Sequence, residues 1–112
     1  MYVLTQEQLP LSAFAHEFVG DDHGGVGICL IFTEAKPGQG PALHKHPYEE
    51  VHLVQEGTAL FVADREERVV GAGEIVVVPA GTPHRFESLG PGVMREIGVH
   101  VNRRFVTEWL DP

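Results

Sequence analysis

The chain has 112 residues, with 16 acidic and 8 basic side chains that give a formal net charge of −8. This length suits one domain and is too short for two, and the negative charge argues against nucleic acid or a membrane surface as a partner. The apolar runs are too short to span a membrane, and the N-terminus lacks the basic and apolar stretches of a secretory leader. Cys29 is the single cysteine, so no internal disulfide can form, which suits the reducing cytoplasm.

The N-terminal region carries the main helical signal in an otherwise strand-like sequence. Residues 6–18 could form a short helix, which Pro10 would interrupt. We therefore predict that residues 1–24 form an N-terminal arm that precedes the main body of the domain. His16 and His23 lie in polar surroundings and are expected at the surface.

From residue 25 onward, short apolar runs rich in Val, Ile, Phe and Thr alternate with turn residues. Such runs are typical of β-strands, and the near absence of helical periodicity predicts an all-β sandwich or barrel. We expect a barrel core over residues 25–104 and a C-terminal segment over residues 105–112. The charged stretch 65–68 is expected to be a solvated hairpin tip, and Cys29 falls in an apolar run that predicts a buried, inert thiol.

Four side chains form a candidate metal site, namely His44, His46, Glu50 and His84. His44 and His46 are two residues apart, so on a strand both imidazoles point to the same face. Glu50 opens the next apolar run and can add a carboxylate, and His84 follows a turn rich in Gly and Pro. Three nitrogens and one oxygen suit Zn, Mn, Fe, Co, Ni or Cu, so we predict one divalent transition-metal ion.

The glycines and prolines around these side chains stand at spacings that resemble the two motifs of the cupin family. The first motif is matched by Gly38, His44, His46, Glu50 and Gly57, and the second by Gly73, Pro79, Gly81 and His84. Ser88 stands where the family usually has Asn, which is not a metal ligand in the family pattern. The resemblance covers about half of the chain and implies a single-domain jelly-roll β-barrel, also called a double-stranded β-helix, with a metal part-way down.

Three further side chains have more than one interpretation. Glu49 is an alternative ligand to Glu50, although the family spacing favours Glu50. Strand alternation places His52 on the same face as Glu50, where it could act as a general acid or base or be a core histidine bonded to its neighbours. His100 is more readily explained by packing, because the sequence does not decide which face of its strand points inward.

The resemblance implies two classes of function. The first is a metal-dependent dioxygenase, isomerase or decarboxylase that acts on a small polar organic molecule, with His52 as the best candidate for a catalytic group. The second is a non-catalytic module that binds or senses a small molecule. Cupins are commonly homodimers, so the family also implies a homodimer in which the apolar N-terminal residues could be exchanged between subunits.

Overall fold

The computed structural model describes residues 1–110, which form eleven β-strands and two short 3₁₀ turns. The turns are Gln6–Gln8 and Gly20–His23. The strands are β1 (Leu11–Ser12), β2 (Ala15–Val19), β3 (Cys29–Ala35), β4 (His44–Lys45), β5 (Glu50–Glu56), β6 (Thr58–Ala63), β7 (Glu66–Gly71), β8 (Ile75–Val78), β9 (His84–Ser88), β10 (Met94–His100) and β11 (Glu108–Trp109). Within that range, neither helical turn has the length or hydropathy that crossing a bilayer requires.

The strands form two antiparallel sheets that face one another. One sheet has six strands in the order β1-β2-β3-β10-β5-β8, and the other has five in the order β11-β4-β9-β6-β7. Neighbours within a sheet are often distant in sequence, as where β10 lies between β3 and β5. This connectivity is that of a jelly roll, so the prediction of an all-β jelly-roll barrel is confirmed.

Strand alternation decides which side chains enter the space between the sheets. Every second residue of β9 and β10, and of β5 as far as Val54, is buried, and this shows which face of β10 points inward, a question that the sequence left open. The buried residues are Glu50, His52 and Val54 in β5, His84, Phe86 and Ser88 in β9, and Met94, Glu96, Gly98 and His100 in β10.

One part of the interior is an apolar core, and the other is polar. The core cluster consists of Ala35, Val54, Ala59, Phe61, Val70, Phe86 and Met94. Gly57 turns β5 into β6 with a positive φ of 76°, and a side chain there would place its Cβ only 3.0 Å from the Cα of Met94. The turn therefore needs glycine both for its conformation and for the close packing of β10.

The N-terminal region differs from its helical prediction. It forms a single 3₁₀ turn and then the strands β1 and β2, and β2 pairs with β3 of the same chain from Ala15 opposite Thr33 to Val19 opposite Cys29. The helix prediction is wrong beyond that turn, because Pro10 cannot continue a helix and β3 offers an edge on which β2 can pair. The exchange of this region between subunits stays a prediction.

Two further features agree with the predictions from the local sequence. The stretch 65–68 is exposed, as predicted, with Arg65 in the turn between β6 and β7 and residues 66–68 at the start of β7. Cys29 is fully buried at the start of β3, where burial raises the pKa of its thiol and disfavours the reactive thiolate. Residues 111 and 112 of the predicted C-terminal segment lie outside the described range.

Candidate metal centre

The four predicted ligands meet at one end of the barrel, and both sheets contribute to them. His44 on β4 lies directly opposite His84 on β9. His46 follows β4, and Glu50 opens β5 in the facing sheet. All four side chains are buried, and one ligand atom from each lies within 4.8 Å of the others. We call these four residues the His–Glu cluster.

Backbone carbonyls fix the protonation of the three histidines in the cluster. Nδ1 of His44 lies 2.7 Å from the carbonyl oxygen of Ala42, and Nδ1 of His84 lies 2.8 Å from that of Thr82. Nδ1 of His46 lies 2.9 Å from the carbonyl oxygen of Val106. A carbonyl oxygen only accepts, so each neutral ring carries its proton on Nδ1. Each Nε2 is then left with a lone pair, which is the form that binds a metal.

These lone pairs converge on one carboxylate oxygen. Oε1 of Glu50 lies 3.0 Å from Nε2 of His84 and 3.3 Å from Nε2 of His46. Nε2 of His46 is buried and has no hydrogen-bond partner among the described residues. Acceptors this close repel one another unless a cation or a proton lies among them. The cluster is therefore built for a positive charge.

A divalent transition metal fits this arrangement. Bonds of about 2.1 Å from a metal to nitrogen and oxygen ligands place neighbouring ligand atoms about 3 Å apart, which matches the separations from Oε1 of Glu50. Imidazole nitrogens are suited to Zn, Cu, Fe and Ni, whereas Mg and Ca prefer all-oxygen sites. The donor set thus favours a transition metal.

The second oxygen of Glu50 faces a different pair of histidines. Oε2 lies 3.1 Å from Nε2 of His52 and 2.9 Å from Nε2 of His100. Neither ring N–H points straight at the oxygen, so these are short polar contacts and not well-aligned hydrogen bonds. Glu50 therefore directs Oε1 towards the histidines of the His–Glu cluster, while its Oε2 contacts His52 and His100.

Two buried side chains hold these outer histidines in turn. Nδ1 of His52 lies 2.9 Å from Oε2 of Glu96, and the hydroxyl of Tyr48 lies 2.7 Å from Nδ1 of His100. His52, Glu96 and His100 are each at most 3% exposed. Polar groups buried this deeply need partners, and Glu96 and Tyr48 supply them from different parts of the chain. Glu50 is thus held on its Oε2 side by two pairs of side chains, which we call the Glu96–His52 arm and the Tyr48–His100 arm.

The charges of Glu50 and His52 stabilise each other. Burial alone would raise the pKa of Glu50, but the charge of His52 and the contacts with His100 and His46 hold it well below its usual range. Burial alone would lower the pKa of His52, but the carboxylates of Glu96 and Glu50 raise it to about 10. His52 is therefore an imidazolium between two carboxylates at neutral pH.

Other groups at the site remain neutral. Burial lowers the pKa of His44 to about 4 despite its hydrogen bond to Ala42, and burial also lowers the pKa of His100. Burial raises the pKa of Tyr48 to about 12. Metal binding needs unprotonated imidazole, so the environment of His44 keeps a ligand available even in mild acid.

The C-terminal segment lies across the cluster. The carbonyl oxygen of Val106 accepts from His46, its amide donates to the Tyr48 hydroxyl at 3.3 Å, and the ring of Trp109 lies 5.1 Å from that of His44. The β11 strand, which contains Trp109, pairs with β4. This segment, residues 105–109, therefore helps to orient two of the histidines and to cover them.

A cavity of about 410 Å³ adjoins the cluster. Its walls are largely apolar and aromatic, with contributions from Phe14, Ile31, Phe86, Phe105 and Trp109. The ligand residues His44, His46 and Glu50 also line it, as do the outer groups His52, Glu96 and His100. An apolar cavity with a few converging polar groups is the usual form of a small-molecule site.

The structure brings together every residue of the predicted ligand set. Glu50 is buried within the cluster, whereas its neighbour Glu49 is exposed. His16 and His23 are half-buried rather than fully exposed, and neither lines the cavity. His23 instead stacks on Phe18 with ring centroids 4.5 Å apart.

The sequence prediction missed Glu96 and Tyr48. Glu96 and His100 are an even number of residues apart on β10, so their side chains point to the same face of the strand. Had the sequence shown which face of β10 points inward, it would also have shown that Glu96 is buried. Tyr48 lies between β4 and β5, where no strand periodicity applies. Its role follows only from the tertiary contact with His100, which is 52 residues away in sequence.

Comparison with known proteins gives a family match over the barrel. A model of the cupin domain family matches residues 31–100. Uncharacterized protein MJ1618 of Methanocaldococcus jannaschii is 37% identical over 67 residues, covering 59% of this chain and 54% of that protein. The HTH-type transcriptional regulator PuuR of Escherichia coli is 28% identical over 79 residues, covering 70% of this chain and 43% of the regulator. The chain thus spans about half the length of these curated relatives.

Solved structures share the fold at low sequence identity. An oxalate oxidase in complex with the substrate analogue glycolate aligns with a TM-score of 0.76 and 20% identity, covering 86% of this chain and 54% of that one. A variant of Bacillus subtilis oxalate decarboxylase aligns with a TM-score of 0.82 and 18% identity, covering 93% of this chain and 30% of that one. These similarities show the architecture alone.

Proposed function

Because this chain belongs to the cupin domain family, we propose that it binds one divalent transition-metal ion in the His–Glu cluster and acts with it on a small organic molecule. The observation that carries the proposal is the convergence of Nε2 atoms on Oε1 of Glu50, at 3.0 Å from His84 and 3.3 Å from His46. Only a positive charge among these atoms makes the arrangement favourable.

The ion is one of Fe, Mn, Ni, Cu or Zn. The three imidazoles exclude a site designed for Mg or Ca, and the structure of a relative in fold supports Mn, since one Bacillus subtilis oxalate decarboxylase is described by its Mn(II) centres. A five- or six-coordinate ion would keep one or two positions for a ligand beyond the four protein atoms. The adjoining cavity supplies the space for that ligand.

The first candidate activity is that of a metal-dependent dioxygenase, isomerase or related enzyme. The bound metal would supply Lewis acidity or redox chemistry. The protein would hold Glu50 in place through His52 and His100 and would exclude water with its aromatic walls. His52 also lines the cavity as an imidazolium, which supports a further role as a proton donor to the substrate.

The second candidate is a non-catalytic sensing module. The similarity to the regulator PuuR favours it, because the 79 matched residues make up less than half of a protein that is named as a transcriptional regulator. The apolar cavity would serve equally well to detect a small molecule. Oxygen uptake or substrate turnover by the metal-loaded protein separates this candidate from the enzyme.

We also propose that the protein is a cytoplasmic homodimer. Met1, Tyr2 and Val3 are all exposed apolar residues, and exposed apolar surface of this kind is typical of an interface. Exchange of residues 1–24 would bury them. Sedimentation of the full chain against a variant with Val3→Asp gives the oligomeric state and tests this surface.

Metal analysis of the purified protein tests the proposed function. We expect about one equivalent of a transition metal, and a metal-dependent rise in the unfolding temperature that corresponds to about 3 kcal/mol at a hundredfold excess over Kd. His84→Ala should lose both. Glu49→Gln is the matched control and should keep both, because Glu49 is exposed beside the proposed ligand Glu50. Failure of the wild type to bind any of the five ions would refute the metal site.

A further inference from the structure

The cavity contains carboxylates but no positively charged side chain of Lys or Arg. Glu17, Glu50 and Glu96 line it, whereas none of the lysines and arginines in the structure does. Several of these cations are paired elsewhere on the surface: Lys45 with Glu108, Arg95 with Glu34 and Glu56, and Arg103 with Asp21. An anionic ligand could therefore be held only at the metal end of the cavity.

Glu17 is the carboxylate that lacks a partner. It lies on β2, half-buried, on the cavity wall that Ala15 also forms. No cationic side chain within residues 1–110 lies within ion-pair distance of it, and burial raises the pKa of its carboxyl group. Removing a carboxylate from water without a partner costs free energy, and a cation bound in the cavity would offset that cost.

The other two carboxylates already have their countercharges. Glu96 contacts the His52 imidazolium, and Glu50 would be more than neutralised by a divalent ion in the His–Glu cluster. The metal-loaded cavity is thus positive at the cluster and negative at Glu17. Its aromatic walls add to this preference, because the faces of Phe and Trp attract cations.

We infer that the ligand is a small molecule with an oxygen donor for the metal, an apolar body and a protonated amine that pairs with Glu17. This inference rests on the proposed function and names its ligand class. It separates the chain from the oxalate enzymes that share its fold, because oxalate carries a negative charge at both ends. A second carboxylate in this cavity would meet Glu17 with no Lys or Arg to balance it.

The test uses three probes that share one carboxylate and a similar chain: pentanoate, its terminally aminated analogue and glutarate. Each is titrated by calorimetry into the full-length protein loaded with one equivalent of Co²⁺, whose visible spectrum reports coordination by the probe. We expect the aminated probe to bind about tenfold more tightly than pentanoate, as for a charged hydrogen bond in a partly buried site, and glutarate to bind most weakly.

Variants at Glu17 test whether its side chain causes the preference for the aminated probe. Glu17→Gln should remove the advantage of the aminated probe and strengthen glutarate, while the exposed control Glu67→Gln should leave the order unchanged. Three results with the metal-loaded protein would overturn this inference alone. Glutarate binds as tightly as the aminated probe, the three probes bind equally well, or none of them binds. Protein that takes up no metal refutes the proposed function instead, so the two failures are distinct.

Discussion

The two parts of the barrel interior bury comparable side chains for opposite reasons. The apolar part packs Phe61, Phe86 and Met94 with no polar partner to satisfy, and its burial stabilises the fold directly. The polar part buries His52, Glu96 and His100 just as deeply, at 3% exposure or less, yet each must be matched by a charge or a hydrogen bond. The first region therefore determines stability, and the second uses some of that stability to hold the His–Glu cluster and its supporting groups in place.

The largest effect is expected from a substitution that removes side-chain volume from the apolar part. Met94 is fully buried, so Met94→Ala should lower the free energy of unfolding by about 2–5 kcal/mol. The folded variant should still bind one equivalent of metal, because Met94 does not belong to the polar network. Denaturant titration and elemental analysis measure the two effects. The exposed Val69→Ala serves as control and should change the stability by about 0.5 kcal/mol or less.

A substitution in the polar part should instead lower the affinity for metal. Glu96→Gln keeps the shape of the side chain but removes a carboxylate that holds His52, and through it Glu50. We expect metal affinity to fall about tenfold, as for other supporting residues around a metal site. The pKa of His52, followed by NMR in the metal-free protein, should fall as well.

The matched control for this change is Glu56→Gln, which alters an exposed carboxylate paired with Arg95 on the outer surface. It should leave both metal affinity and the pKa of His52 unchanged. If Glu96→Gln also left both unchanged, the positioning role of the Glu96–His52 arm would be disproved, since a purely packing role would not be tied to the titration of His52.

The last comparison is the pH dependence of the metal-free protein. His44 has its pKa lowered to about 4, so stability falls as the pH drops from 6.5 towards 4, where the unfolded chain binds the proton more readily. His52 has its pKa raised to about 10, so its contribution is complete below 6.5 and is lost as the pH rises towards 10. The unfolding temperature should therefore peak near neutral pH and fall by about 4 °C or more on each side.

Scanning calorimetry of the metal-free protein across this range shows whether the unfolding temperature falls on both sides of neutral pH. His52→Gln should remove the fall at alkaline pH and keep the fall at acidic pH. A wild-type unfolding temperature that rises steadily between pH 6.5 and 10 would contradict the assignment of His52 as an imidazolium.

Prediction from the sequence succeeded where spacing carried the information. The interval from His44 to His46, the alternation from Glu50 to His52 and the turn before His84 are local, and each placed its side chain correctly in the barrel. The strands β1 and β2 were missed because their pairing depends on the edge of β3, which is a tertiary feature.

The supporting network was harder to predict for a related reason. Glu96 and Tyr48 reach their partners across 44 and 52 residues of sequence, and neither separation follows a motif. A side chain that positions a ligand is recognised by its contact and not by its spacing. The sequence could therefore predict the members of the His–Glu cluster but not the groups that hold them.

The hydrogen bond between His46 and Val106 also has a consequence for how the site matures during synthesis. The two residues are 60 positions apart, so Val106 leaves the ribosome well after His46 and also after His84, the last residue of the His–Glu cluster. Until it arrives, the imidazole of His46 is free to carry its proton on either nitrogen, and β11 has not yet paired with β4. The nascent chain consequently has the four side chains of the His–Glu cluster before the contact that orients His46, so the proposed metal site is complete only once residues 105–109 have folded over it.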